Sequence, residues 1–110
     1  MTETWKPHPW YTHYEVSDRG GVRSIDRVVQ TRTGPRKYKG KPLKQGKYGR
    51  YPLMTWLTRD HVQYQECVHR LVLEVFVGPA PKDHVGSHRD GDLNNNNLEN
   101  LYWRPRKAKI

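Results

Sequence analysis

The polar stretch from Ser87 to Asn97 concentrates the side chains that could do chemistry. His88 brings an imidazole, whose ordinary pKa of about 6.5 lets it accept a proton at physiological pH. Asp90 and Asp92 bring carboxylates that could bind a divalent cation, although a D-G-D loop is more often a turn whose carboxylates accept from backbone amides. The four asparagines that follow favour turn geometry and local hydrogen bonds. An isolated histidine in such a loop is most commonly an ordinary polar residue, so its interpretation depends on its surroundings.

The chain is strongly basic. Its 110 residues include 20 Lys and Arg against 11 Asp and Glu, a formal net charge of +9. Cations spread along the whole chain predict a polyanionic partner. A membrane is disfavoured, because no apolar run approaches the roughly 18 residues that span a bilayer. The single cysteine, Cys67, excludes an intrachain disulfide and a thiolate-rich zinc site. The N-terminus lacks the apolar core of a signal peptide, which predicts a cytoplasmic protein.

The first half of the chain predicts short strands and a basic connection. From Trp5 to Arg27, β-prone residues flank a Ser-Asp-Arg-Gly-Gly turn, which predicts a small hairpin. From Val28 to Gly49 the chain is dense in Lys, Arg, Gly and Thr, with too few apolar residues for a core face. This segment is either a mobile basic loop or an extended stretch along a phosphate backbone. From Tyr51 to Tyr64 a strand, polar turn, strand pattern predicts a second hairpin.

One amphipathic helix is predicted next. Apolar residues recur at i, i+3, i+4, i+7 and i+8 from Val68 to Phe76, and Gly78 with Pro79 ends the pattern. Strands are then predicted from Val85 to His88 and from Leu98 to Trp103, around a polar loop. Two strands around a long polar loop form half of a ββα finger. The predicted fold class is α+β, with a basic β-rich module over residues 1–64 and a ββα-type motif over residues 65–110, packed as one compact unit.

Several motifs follow the order typical of one family. The C-terminal half contains Val68-His69-Arg70-Leu71-Val72, Ser87-His88-Arg89-Asp90-Gly91-Asp92 and Asn100-Leu101-Tyr102-Trp103. These stretches resemble the HNH (His-Me finger) endonucleases of phages and mobile introns. The N-terminal half contains Trp5-Lys6-Pro7, Tyr14-Glu15-Val16-Ser17-Asp18 and Gly21-Val22-Arg23-Ser24. These resemble the DNA-binding module that often precedes the nuclease motif. The two resemblances span most of the chain and imply a homing-type nuclease in a bacterium or phage-infected host cell.

The resemblance also implies a mechanism and its residues. In the family, a histidine at the end of the first strand takes a proton from a water that attacks a backbone phosphorus, and His88 matches that base. An asparagine in the second strand helps to fix the ring of the base, and Asn100 matches it. The implied cofactor is one hard divalent ion held by oxygen ligands, Mg²⁺ or Mn²⁺.

Two positions depart from the family pattern. Many relatives have Asp or Asn immediately before the base, where this chain has Ser87, and a hydroxyl is a much weaker ligand for a hard cation. Relatives continue into a helix that presents Asn or His to the metal, whereas Lys109 occupies that position here and the final helix is expected to be truncated. Ser87 and Asp90 are therefore weak metal-ligand candidates in an incomplete set.

The predicted DNA contacts are basic residues spread over both halves of the chain. In the Val28–Gly49 segment and just beyond it, cations alternate with Tyr38 and Tyr48, which suits phosphate contacts with occasional stacking. A solvated basic loop is the alternative. The full predicted set is Arg19, Arg23, Arg32, Arg36, Lys37, Lys39, Lys41, Lys44, Lys47, Arg50, Arg70 and Arg89.

Three functions follow as hypotheses. The first is a metal-dependent endonuclease or nickase of double-stranded DNA, acting alone, as a homodimer or in a larger assembly. The second is a DNA-binding protein, such as a repressor or an assembly subunit, on the same scaffold without catalysis. The third, RNA binding, has less support, because the sequence contains no aromatic RNP-type pattern and no Gly-x-x-Gly clamp.

Overall fold

The computed structural model describes residues 2–106, and the structural statements below refer to these residues. Nine strands, one α-helix and a 3₁₀ turn follow one another along the chain. The element bounds are β1 Trp5–Pro7, β2 Tyr14–Ser17, β3 Val22–Ser24, β4 Arg27–Thr31, β5 Gly34–Tyr38, β6 Met54–Arg59, β7 Val62–Cys67, α1 Val68–Phe76, β8 His84–His88, the 3₁₀ turn Leu98–Asn100 and β9 Leu101–Pro105. This α+β architecture confirms the predicted fold class.

The N-terminal strands form an antiparallel sheet in the order β1-β2-β3. The predicted hairpin is β2 with β3, and β1 adds a third strand to its edge. Val16 and Val22 pair across the sheet and are both buried. The connecting turn is closed by the Ser17 hydroxyl, which accepts hydrogen bonds from the backbone N–H groups of Arg19 and Gly21. A short polar side chain that satisfies turn amides is typical of this position.

The segment predicted as a basic loop or an extended stretch contains an antiparallel hairpin, β4 with β5. Every residue of β4 is exposed, including Val28, of which 57% is accessible. The sequence concealed these strands because neither face of the hairpin is buried, so no alternation of apolar and polar residues was needed. This part of the chain is therefore a two-stranded hairpin with exposed basic side chains rather than an irregular loop.

The β6–β7 hairpin forms as predicted around Asp60 and His61. Both turn residues have positive φ angles, 52° and 65°, which gives the tight turn the twist of its flanking strands. Leu57 points into the core and Trp56, next to it, points outward with 52% of its surface exposed. This alternation is the period of two that the sequence pattern indicated.

The predicted helix α1 spans Val68–Phe76 and supplies the centre of the core. Leu71, Val72 and Leu73 are fully buried and pack with Tyr11 and Val16 of the first half. Full burial of an aliphatic side chain of this size stabilises a fold by about 1.5–3 kcal/mol. Both halves of the chain thus share one core. No helix among the described residues is long and apolar enough to cross a membrane.

A buried polar contact ties the N-terminal sheet to α1. His8 Nε2 lies 2.9 Å from Glu74 Oε1, and both side chains are almost fully inaccessible. His8 Nδ1 accepts from the backbone N–H groups of Trp10 and Tyr11, so its proton lies on Nε2, which donates to the carboxylate. The bond fixes how the first strands sit on the helix.

Strands β8 and β9 pair antiparallel, with His88 opposite Leu101. The second strand was predicted from Leu98, but residues Leu98–Asn100 form a 3₁₀ turn and the strand begins at Leu101. The correction has a local cause, because Asn100 turns its side chain back into the polar loop and is held there by three hydrogen bonds. The expected truncation of the final helix stays a prediction, because residues 107–110 lie outside the described residues.

Candidate active site and nucleic-acid interface

His88 ends strand β8 and is held in a buried position. Only 9% of its surface is accessible, and its Nε2 lies 2.7 Å from the amide oxygen Oδ1 of Asn96. An amide oxygen can only accept, so the ring proton belongs on Nε2 and the lone pair on Nδ1. The His88 ring forms this one hydrogen bond with residues 2–106, and Nδ1 takes no part in it. The arrangement presents one nitrogen as a proton acceptor.

Asn100 occupies a different place from the one expected. Its Oδ1 accepts from the backbone N–H of Asp90, and its Nδ2 donates to Asp90 Oδ1 and to the backbone oxygen of Asn95. The side chain therefore binds the loop between the two strands, and Asn96 rather than Asn100 contacts the base ring. The expectation that Asn100 directly fixes the His88 ring is corrected by this geometry, because the side-chain hydrogen bonds of Asn100 to the described residues all go to the loop.

Asp90 is the centre of that loop. Its carboxylate accepts from the backbone N–H of Asp92 and from the side-chain amides of Asn95 and Asn100. These hydrogen bonds, the Asp92 amide first, hold the pKa of Asp90 below its usual range. The carboxylate performs the turn-forming role that the sequence analysis weighed against metal binding.

His69 of α1 packs against His88, with ring centroids 4.8 Å apart. Its residue exposure is 7%, and burial lowers the pKa of His69 to about 4, with the nearby His88 and Arg70 contributing in the same direction. A Cβ at Gly86 would lie 2.5 Å from the His69 ring, so only glycine permits this contact. His69 is thus an uncharged side chain that packs against the His88 ring.

The predicted DNA contacts are mostly exposed cations. All residues of the predicted set except Arg23 are exposed. Arg23 is half-buried, forms an ion pair with Glu15 at 2.9 Å and lies over the Trp5 ring. Others also have partners on their own chain: Arg70 bonds Glu74, Arg89 lies over the Tyr102 ring and Arg36 over the Tyr38 ring. Exposed cations on the β4–β5 hairpin and in the segment that follows it form a set that we call the basic ribbon. Its members are Arg32, Arg36, Lys37, Lys39, Lys41, Lys44, Lys47 and Arg50.

An open cleft of about 780 Å³ lies between the end of the basic ribbon and the β6–β7 hairpin. Arg27, Lys41 and Lys44 line it together with the exposed face of Trp56, and its lining includes no carboxylate. Cations beside an exposed indole suit a phosphate backbone with stacking on a sugar or base. Trp56 was absent from the predicted contacts, because a single outward-facing Trp in a strand carries no sequence signal that separates binding from chance.

Two family matches divide the chain. Residues 3–52 match the NUMOD4 motif, and residues 66–109 match the HNH endonuclease family. The chain carries a NUMOD4 motif followed by an HNH endonuclease domain. The family resemblance stated from the sequence is confirmed, and His88 lies within the HNH match.

Known proteins similar to this chain carry the same family name. One, from Acanthamoeba polyphaga mimivirus, is named an uncharacterized HNH endonuclease; it is 30% identical over 94% of this chain, which covers 27% of that protein. A solved structure described as DNA binding and cleavage by the HNH homing endonuclease I-HmuI is also 30% identical, with a TM-score of 0.74 over 93% of this chain and 52% of that one. This chain therefore spans about a quarter and about half of the lengths of these two relatives.

HNH nucleases generally use a divalent metal ion. Among residues 2–106 no group of three or more His, Cys, Asp or Glu side chains is placed to hold one. Of the two candidate ligands, Ser87 offers only a hydroxyl, and Asp90 has both carboxylate oxygens engaged in the loop. The described residues thus do not make a complete metal site, and Lys109, where relatives present a further ligand, lies outside them.

Asn96 and His69 were the residues of this site that sequence reasoning passed over. Asn96 is the third of four consecutive asparagines, and nothing in the sequence separates it from its neighbours. His69 was interpreted as a packed or capping helix residue or a phosphate contact, and its packing against His88 was not foreseen. The sequence carries only a weak signal for these two residues, because the burial of an amide or an imidazole depends on the side chains that pack around it in the fold.

Proposed function

We propose that this protein is an endonuclease or nickase that hydrolyses phosphodiester bonds of double-stranded DNA, with His88 as general base. The observation that carries the proposal is the buried bond between His88 Nε2 and Asn96 Oδ1, which leaves Nδ1 as the acceptor within an HNH match. A neutral imidazole held in one tautomer is the form that a general base needs.

In the proposed step, His88 Nδ1 removes one proton from a water molecule while the water oxygen bonds to a backbone phosphorus. The bond from phosphorus to the leaving sugar oxygen breaks, and that oxygen takes a proton from solvent. His88 then carries a positive charge, which Asn96 Oδ1 stabilises by accepting the Nε2 hydrogen bond. His69 adds no competing charge, because its depressed pKa keeps it neutral at physiological pH.

We propose Mg²⁺ or Mn²⁺ as the cofactor, with oxygen ligands. The test is a supercoiled-plasmid nicking assay with Mg²⁺, with Mn²⁺ and with EDTA. We expect nicked circles to accumulate with either ion and not with EDTA. Nicking that persists in EDTA would contradict a metal-dependent nuclease, and no nicking under any condition, with DNA binding intact, would favour the second function below.

The second candidate function is DNA binding without cleavage. The observation in its favour is the lack of a complete ligand set among residues 2–106. On this reading the basic ribbon and the HNH scaffold would bind duplex DNA equally well with or without divalent ions. Competition between duplex DNA and duplex RNA in the same binding assay tests the RNA hypothesis at once.

DNA binding through the basic ribbon is the second part of the proposal. Lys41 and Lys44 both line the Trp56 cleft and are exposed. We expect Lys41→Ala with Lys44→Ala to weaken duplex binding and to reduce the slope of log K against log salt by about 2, because each neutralised phosphate contributes about 0.9. Fluorescence anisotropy over a salt series measures the slope.

The matched control is Lys6→Ala with Lys82→Ala, which removes the same net charge from exposed positions outside the cleft. Its slope is expected to stay close to that of the unaltered protein. Equal slopes for the two double variants would show that the lysines of the cleft act through net charge alone, and the phosphate-contact interpretation would fail.

A further inference from the structure

We propose that the NUMOD4 motif is part of the catalytic site: its Ser17–Gly21 turn holds Asn96 in place, and Asn96 acts as the positioning residue for His88. The inference rests on the proposed role of His88 as base. It adds a second task to a module whose expected task is DNA binding, and it assigns a role to a residue that the family pattern did not single out.

The first step is the burial of Asn96. Only 4% of this residue is accessible, although it lies within a polar loop. Its Oδ1 is 2.7 Å from His88 Nε2, while its Nδ2 is buried without a partner among the described residues. An unpaired buried amide costs free energy, about 1–3 kcal/mol in general. A loop that only needed turn geometry would leave this amide in water, as it leaves that of the exposed Asn94.

The second step is the contact between the turn and the loop. A Cβ added at Gly20 would lie 2.8 Å from Asn96 Cβ and 3.1 Å from its backbone oxygen. Gly20 also has a φ angle of +85°, which L side chains rarely adopt. The turn therefore approaches the Asn96 backbone more closely than any other residue type allows at position 20.

One hydrogen bond joins the turn to the loop, and a second one supports the turn from within the NUMOD4 motif. The backbone N–H of Leu98 donates to the backbone oxygen of Asp18 at 2.7 Å. Gln45, near the end of the NUMOD4 match, donates its side-chain amide to the Gly20 oxygen at 2.8 Å. The NUMOD4 turn thus contacts Asn96 itself and bonds the loop backbone two residues beyond it, at Leu98.

The direct test compares Asn96→Leu, which keeps the size and removes the acceptor, with Asn96→Asp, which keeps an acceptor oxygen. The readout is the His88 imidazole Nε2–H signal in ¹H–¹⁵N spectra, assigned by its loss in His88→Ala. We expect a slowly exchanging signal in the unaltered protein, in Asn96→Asp and in the control Asn94→Ala, and its loss in Asn96→Leu. Nicking is assayed at alkaline pH, because there an imidazole paired with a carboxylate, as in Asn96→Asp, is largely neutral. The nicking rate should fall on the order of 10-fold in Asn96→Leu and not in Asn96→Asp.

The role of the NUMOD4 turn is tested with Gly20→Ala against Gly49→Ala. Both glycines have left-handed φ angles, +85° and +59°, but nothing lies within 4 Å of a Cβ at Gly49. We expect Gly20→Ala to lose the protected His88 signal and Gly49→Ala to keep it. If Gly20→Ala does not fold, Gln45→Ala removes, without a clash, the hydrogen bond that supports the Gly20 backbone oxygen in the turn. Faster exchange of the same signal is then expected.

Three results would overturn the proposal. They are an unchanged signal in folded Asn96→Leu, an unchanged signal in folded Gly20→Ala, and unchanged exchange in Gln45→Ala where Gly20→Ala fails to fold. Because the imidazole signal is read without DNA or metal, it decides the positioning question even if the protein does not cut. A protein that shows the expected signals and no nicking would refute the proposed nuclease and leave the positioning of His88 by Asn96 in place.

Discussion

Replacing His88 with alanine is expected to slow plasmid nicking by about 10²–10⁴-fold, the range that a positioned general base contributes. The loss should lie in the rate of the chemical step, because the side chain removed is the group that accepts the proton from water. Duplex affinity should stay within about 2-fold, since His88 is 91% inaccessible and the exposed cations are unchanged.

The measurement is single-turnover nicking with the enzyme in excess, with the affinity of each variant verified by anisotropy. His84→Ala is the matched control, because His84 lies at the other end of strand β8 and its ring is hydrogen-bonded to the backbone oxygen of Lys82, away from the His88 ring. The control should nick at the rate of the unaltered protein. Equal nicking by His88→Ala and the unaltered protein would remove His88 from the mechanism and point to a contaminating nuclease or another base.

Acidification from pH 7 to pH 4 is expected to remove about 3 kcal/mol of unfolding free energy through His69 alone. Burial lowers the pKa of His69 from 6.5 to about 4 in the folded protein. Between these values the unfolded chain binds a proton that the native protein excludes. The contribution is therefore fully present above pH 6.5 and is lost as the pH falls toward 4.

The test is urea unfolding of the unaltered protein and of His69→Gln at several pH values. The variant does not titrate, so the difference between the two free energies isolates His69 from other groups. One such group is Glu66, whose pKa burial raises and whose contribution has the opposite sign. A difference that stays constant from pH 7 to pH 4 would show that His69 is hydrated or exposed in solution and would contradict its buried position.

The predicted helix and two of the hairpins were recoverable from the sequence because their burial is periodic. Apolar residues from Val68 to Phe76 recur with the helical period, and the turn at Asp60 and His61 separates two alternating runs. Periodicity did not predict strands β4 and β5, because their residues are almost all exposed. When neither face of a hairpin is buried, apolar and polar residues need not alternate along its strands. Backbone hydrogen bonds between the strands then form the hairpin without a hydrophobic pattern in the sequence.

The candidate site divides in the same way. His88 could be identified from its motif, since the order of Ser87, His88, Asp90 and Asn100 is a property of the chain itself. The motif did not identify which asparagine contacts the ring. Asn96 and Asn100 are four residues apart in a loop whose path depends on Asp90 and on the NUMOD4 turn. The family position implied Asn100 for this contact.

The sequence by itself determined the α+β class, the basic character and the family, because these depend on residue types, order and periodicity, and the resemblance to that family implied the candidate base. Tertiary structure decided what surrounds that base. It buried His69 beside the His88 ring, placed Asn96 on Nε2, engaged Asn100 and Asp90 with the loop, and brought Gly20 against Asn96 from nearly 80 residues away in the chain. Hydrogen bonds and close packing act between atoms that the fold brings together, so their partners cannot be read along the chain.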